Sequence, residues 1–233
     1  MRNNLQNTST SLIELYKLKK FQPQSFKDVS DFGFITVHLI ERSIAMLSNE
    51  LSGILLDVGC GEEPYLCYFN HVNDKLACDY DANRGKVDFS CAADQIPLSN
   101  NTIDSILCTE VLEHVKDPLA VWKEFYRILK PGGRVLLTTP TYWPTHEVPH
   151  DYFRYPEYGL RRLVSDSGFD LLAMVPRGGA WAMLGQVSLH VMQKYFPFRW
   201  QRLIWNKIFL KLDSFSKSPR ISLGWTILAV KKI

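Results

Sequence analysis

The sequence predicts an α/β domain, an open sheet of parallel strands with helices on both faces. Three observations carry this. Strand-like and helix-like runs alternate from residue 53 to 139, the order of a parallel sheet covered on both sides. The run Ile54-Leu55-Leu56-Asp57-Val58 is apolar until its acid, as suits a strand buried on both faces. It runs into Gly59-Cys60-Gly61, where glycine permits a turn that a Cβ would penalise, and Pro64 fits the first turn of a helix. Strand, glycine turn and helix together bring bare backbone N–H groups up to a nucleotide-like ligand.

In chain order, residues 1–10 read as frayed. Leu12, Leu15, Tyr16 and Leu18 suggest a short amphipathic helix broken near Pro23, and a second helix is expected from about Asp31 to Leu47. After the glycine turn, Pro64 to Phe69 begins a first crossover helix. Lys75 to Cys78 is the second strand, closed by Asp79. That acid stands twenty positions after Gly59, where a βαβ unit places a carboxylate that accepts from ribose hydroxyls. Val87 to Ala93 is strand-like, and Thr102 to Cys108 is a further strand that delivers Glu110 to His114 at its C-terminal end. Asp117-Pro118 starts a helix with a capping acid and a proline. Lys130-Pro131-Gly132-Gly133 stops it, and Arg134 to Thr139 is the next strand. Residues 157–167 form a helix with Leu160 and Leu163 inward.

Composition narrows the class. A net charge of +3 does not by itself imply nucleic-acid binding. The five cysteines are odd in number and lack metal-ligand spacing, so reduced thiols in a cytoplasmic protein are expected. Residues 1–11 show no secretory signal, and no stretch has the apolar length that spans a bilayer.

Five blocks then resemble the class I S-adenosylmethionine-dependent methyltransferases, in the subgroup found with glycan-biosynthesis enzymes. They are Leu55-Leu56-Asp57-Val58-Gly59-Cys60-Gly61, Asp79, Gln95-Ile96-Pro97-Leu98 with Ile103-Asp104-Ser105-Ile106, Val111-Leu112-Glu113-His114-Val115 with Asp117-Pro118, and Arg127-Ile128-Leu129-Lys130-Pro131-Gly132-Gly133. The resemblance implies a Rossmann-like, doubly wound, seven-stranded and mostly parallel sheet with an antiparallel last strand, the final pair coming from Leu171–Val175 and Trp225–Val230. It implies S-adenosylmethionine as cofactor, held by Asp57, Gly59, Cys60 and Gly61, by Asp79 and Tyr80, by Ala93 and Asp94, and by Glu110 and Val111. Two departures stand out. The family's third glycine is replaced by Glu63 or Pro64, and Asp94 falls about two places late for the adenine contact.

The acceptor side is expected in the loop 141–155, which holds two histidines, two acids, an arginine and five aromatic rings between prolines. His146 or His150 is the candidate base, with Asp151 orienting it. Tyr142, Tyr152 and Arg154 are candidate acceptor contacts. Pro149 to Tyr155 also resembles methyltransferases that occur with sugar enzymes. His146-Glu147-Val148-Pro149-His150 matches the zinc-peptidase pattern H-E-x-x-H, but Pro149 disfavours the helix that pattern needs, so no metal is expected. His114 is read as a packing residue.

The whole chain is expected to be one domain: a helical cap over 1–50, a cofactor core over 51–175, a helical insertion over 176–220 and a last strand over 221–233. Within the insertion, residues 180–212 are aromatic and basic. They suit a lid packed on the sheet edge or an interfacial helix in peripheral contact with a membrane. The expected function is methyl transfer to oxygen or nitrogen of a small-molecule or glycan-type acceptor, without nucleic acid. The rivals are a non-catalytic cofactor-binding regulatory relative and a nucleotide-sugar or dinucleotide enzyme on a similar sheet.

Overall fold

The computed structural model describes residues 28–83, 85–215 and 220–233. The helix expected over 12–19 lies outside them. Seven strands form one sheet: β1 (Ile54–Val58), β2 (Asp74–Asp79), β3 (Phe89–Ser90), β4 (Ile103–Thr109), β5 (Leu129–Pro140), β6 (Phe169–Arg177) and β7 (Gly224–Lys231). Their order is β3-β2-β1-β4-β5-β7-β6. All pairs are parallel except those of β7, which runs antiparallel to β5 and β6. The chain leaves β1 toward β3 and returns to β4 on β1's other side. The crevice at the C-terminal ends of β1 and β4 is therefore the switch point where ligands of open α/β sheets collect.

Among the described residues, five α-helices accompany the sheet: α1 (Phe34–Leu47), α2 (Pro118–Ile128), α3 (Glu157–Asp166), α4 (Ala180–Val191) and α5 (Arg199–Asp213). One core packs Trp122 and Phe125 of α2 and Leu160 of α3 against Val58, Ile106 and Val135. The opposite face is covered by Ile40, Ile44 and Leu47 of α1, with Phe69. The two faces explain why the central strands carry no polar alternation. Asp117 caps α2 as expected, accepting from the Leu119 and Ala120 N–H groups at 3.1 Å.

Three expected elements differ. The crossover between β1 and β2 is no α-helix. It is a single 3-10 turn, Leu66–Phe69, because β2 already begins at Asp74, five positions after Phe69. The strand expected over 87–93 is two residues long, at the sheet edge. Lys130-Pro131-Gly132-Gly133 stops α2 but belongs to β5, which begins at Leu129. The strand absorbs Gly132 at φ +80 and a register shift opposite Ile103 and Ser105.

Candidate active site

The cofactor side is built from three strand ends. Gly59 and Gly61 have φ of +67 and +51. The turn is pinned to β2, since the N–H groups of Gly59 and Cys60 both donate to the Cys78 carbonyl, at 2.8 and 3.1 Å. A Cβ on Gly59 would sit 2.3 Å from Val111 Cγ2, whereas one on Gly61 would meet nothing within 4 Å. Gly59 is thus required by packing, and Gly61 faces open space. Asp79, at the end of β2, accepts from Gly61 N–H at 3.0 Å on one oxygen and from Asp81 N–H at 3.0 Å on the other. A carboxylate accepts about four hydrogen bonds, so two lone-pair sites are left for a ligand's hydroxyls. Tyr80 beside it is 83% exposed, Ala93 is half-buried and Asp94 is exposed.

Asp57 is the outlying group here. It is buried at the end of β1, and its Oδ1 has no hydrogen-bond partner among the described residues. Burial, then the charges of Glu63 and Asp79, push its carboxyl up to about 8. A buried acid left unpaired costs free energy unless a cation or donor comes to it. This orphaned atom beside an open backbone turn fits a ligand that is cationic near a ribose. The Cys60 thiol is raised to about 12 by burial and by Asp57, and stays protonated.

Glu110 occupies a left-handed φ of +54 at the end of β4. Its expected contact is with cofactor, but its carboxylate is engaged by Arg177 at 2.9 Å. Arg177 is buried and also donates to the Thr139 carbonyl at 2.6 Å. A Cβ on Gly224 would fall 1.9 Å from the guanidinium, so glycine there makes room for it. The sequence reading missed Arg177. Its signal was a lone arginine at the end of an apolar strand.

On the acceptor side, loop 141–155 contains no helix, so H-E-x-x-H has no common face for its histidines. Asp151 pairs with His146, not His150. It accepts from His146 N–H at 3.0 Å and lies 3.4 Å from His146 Nδ1. Nδ1 also faces the Pro144 carbonyl at 3.2 Å, which favours the proton on Nδ1 and leaves Nε2 as the free base. His150 Nδ1 instead meets the Tyr152 hydroxyl at 2.9 Å. Arg154 grips both oxygens of Asp151 at 2.6 and 2.8 Å and holds it well below the usual carboxylate range. Its remaining N–H groups go to the Trp143, Pro144 and Phe153 carbonyls. Arg154 therefore ties the loop together, and its hydrogen bonds serve the loop and not the acceptor contact expected of it.

Tyr142 turns to α4, where its hydroxyl lies 3.3 Å from His190 Nδ1. Gln186 approaches His190 Nε2 at 2.9 Å and accepts from Thr36 N–H and Oγ at 3.2 Å. The amide that accepts on its oxygen must donate from its nitrogen, so His190 carries its proton on Nδ1 and donates to Tyr142. Neither His190 nor Gln186 was anticipated. Trp143, Thr145, Asp151 to Phe153 and Arg154 line a depression of about 280 Å³.

The two sides meet at His114. Its ring lies 4.5 Å from that of His146, edge to face, and Nδ1 faces the His150 carbonyl at 2.7 Å. Buried Glu113 lies 3.8 Å from His114 Nε2, and its own carboxyl is raised by burial and by Glu110. Ligand atoms of Glu113, His114 and His146 fall within 4.8 Å of one another, a grouping that could hold a metal ion.

A family model described as a methyltransferase domain matches residues 34–174. The chain belongs to that methyltransferase family. It is a class I S-adenosylmethionine-dependent methyltransferase domain, as the five blocks imply. A malonyl-[acyl-carrier protein] O-methyltransferase of Marinomonas sp. is 26% identical over 145 residues, 56% of this chain and 53% of that protein. A ubiquinone biosynthesis O-methyltransferase of Pseudomonas entomophila is 27% identical over 135 residues, 49% and 54%. The chain spans about half the length of the curated relatives it matches. An S-adenosylmethionine-dependent methyltransferase structure from Mesorhizobium loti superposes with TM-score 0.55 at 13% identity, covering 82% of this chain and 97% of that one. The [4+2]-cyclase SpnF superposes with TM-score 0.59 at 15% identity, covering 99% and 95%. The fold is shared by these methyltransferases and by a cyclase, so chemistry has to be argued from the site.

Proposed function

We propose that this protein transfers a methyl group from S-adenosylmethionine to an oxygen of a small-molecule or glycan-type acceptor. The carrying observation is the buried Asp57 carboxyl, whose Oδ1 has no hydrogen-bond partner among the described residues, near the open Gly61 turn. Asp57, the Gly61 turn and the spare acceptor sites of Asp79 would hold the cofactor, which supplies an activated, positively charged methyl donor when bound. Its positive charge would relieve the cost of burying Asp57.

The protein's own contribution is position and proton transfer. Asp151, fixed by Arg154, keeps the His146 proton on Nδ1, and Nε2 takes the proton of an acceptor hydroxyl. Trp143, Tyr152 and Phe153 offer flat faces with polar edges to a ring-bearing acceptor. The O-methyltransferase names of the curated relatives support oxygen over nitrogen. Helix α4 backs this acceptor site through His190, whose ring packs edge to face on Trp143 at 4.8 Å.

Calorimetric titration with S-adenosylmethionine and with NAD separates the proposal from a dinucleotide enzyme. Heat with the first and none with the second is expected, and the reverse overturns it. Incubating a cell extract with methyl-labelled cofactor tests turnover. A protein that binds the cofactor and labels nothing is the regulatory relative.

A further inference from the structure

The α4–α5 hairpin packs apolar residues such as Ala182, Phe209 and Leu210 inward, yet it also buries two amides and leaves large apolar side chains at its surface. Asn206 is the buried residue of α5, and its amide donates to the Val29 and Asp31 carbonyls at 2.7 and 3.0 Å. Gln186 is equally buried on α4. Meanwhile Trp200, Ile204 and Ile208 of α5 are 62, 47 and 49% exposed. Tyr195 and Phe198, just before the helix, are 61 and 60% exposed. Positions 200, 204, 207, 208 and 211 fall within about 100° around a helix, so Lys207 and Lys211 stand in the same stripe.

The charge is equally one-sided. Residues 180–212 contain five Lys/Arg and no acid. Arg199 is paired with Asp28, and Arg202 is spent on the Ser30, Phe196 and Pro197 carbonyls. Lys194, Lys207 and Lys211 have no carboxylate partner among the described residues, and Lys207 and Lys211 are exposed.

We propose that the outer stripe of α5, with the segment just before it, docks onto an anionic phospholipid bilayer. Aromatic and isoleucine side chains enter the headgroup boundary, and the lysines meet the lipid phosphates. The contact is peripheral, since no helix among the described residues is long and apolar enough to cross a membrane. A second copy is the poorer occupant, because a two-fold pairing would bring like-charged lysines face to face. The inference does not rest on the methyl-transfer reading.

The test is co-sedimentation of the full chain with phosphatidylcholine vesicles, with and without phosphatidylglycerol. Binding to the anionic vesicles only, weakened by salt, is expected. The pair I204E/I208E and the pair K207E/K211E should each lower partitioning at least about tenfold, with circular dichroism unchanged. W200F supplies a control for a blue-shift of tryptophan emission on binding. No binding to either vesicle overturns the proposal. So does a wild-type dimer by light scattering that I204E/I208E converts to monomer.

Discussion

The cofactor side and the acceptor side of this crevice are made in different ways. The first is local: Gly59, Gly61 and Asp79 are joined by hydrogen bonds from backbone N–H groups within the paired strands β1 and β2 and the turn between them. The second is assembled from afar. His146 sits in a loop against His114 of another loop, and Tyr142 is met by a helix residue 48 positions away. Backbone-made sites tolerate side-chain exchange around them, whereas sites made of side chains fail when one partner goes. Substitutions should therefore separate binding from turnover.

The sharpest separation is expected at His146. H146A should lower turnover by about two to four orders of magnitude, the usual contribution of a positioned base, and leave cofactor affinity within about twofold. H150A removes a ring that, among the described residues, meets only Tyr152, and should cost less than about tenfold. Steady-state rates beside calorimetric affinities check both. Equal losses in the two variants would remove the distinction between them.

Arg177 tests whether the halves share a support. It is buried between Glu110, the Thr139 carbonyl and the wall of β7. Arg177→Met would leave Glu110 beside Glu113 with no buried cation, and a destabilisation of about 3–5 kcal/mol is expected from denaturant unfolding. The double change Arg177→Met with Glu110→Gln should recover much of it. No recovery would mean that the guanidinium acts through packing alone.

These contrasts track what the sequence could tell. β1, the glycine turn, β2 and the Asp117-Pro118 start of α2 were legible because each depends on neighbours within a few residues. The first crossover failed because helix signals at Pro64 say nothing of how soon β2 must begin. The pairing of Glu110 with Arg177 was unreadable because the two lie 67 positions apart. The Tyr142, His190 and Gln186 chain was unreadable for the same reason. His146 and Asp151 were visible as types, but their pairing depends on the loop's path, which Arg154 fixes.

Asp57 sharpens the comparison from the cofactor side. Its carboxyl stands at about 8 in the folded protein and at about 4 in an unfolded chain. The folded form thus holds a proton that the unfolded chain has lost. The stability this contributes is complete below pH of about 4 and is lost as pH rises toward 8. A cation bound beside Asp57 displaces that proton. Cofactor binding should therefore tighten between pH 6 and 8, on the order of tenfold, and release close to ~1 proton near neutrality. Calorimetry in buffers of differing ionisation enthalpy measures the release. D57N should abolish it, weaken cofactor about 10- to 100-fold and raise the stability of the free protein.

The smallest expected effect is none at all, and it bears on His146 directly. Glu113, His114 and His146 stand close enough to hold a divalent metal, and both histidines present Nδ1 to backbone carbonyls, an arrangement that metal-bound histidines also use. A ligand cannot serve as free base while its lone pair is on a metal. If His146 is the base, exhaustive dialysis against a chelator should leave turnover unchanged, and added zinc should inhibit by occupying Nε2. Activity lost on chelation and restored by metal would make His146 a ligand, and the acceptor oxygen would then be activated by metal coordination. E113Q separates the cases again. It keeps the buried volume and removes the ionisable carboxyl, so under the free-base reading turnover should fall less than about threefold, against an order of magnitude or more if Glu113 were a ligand.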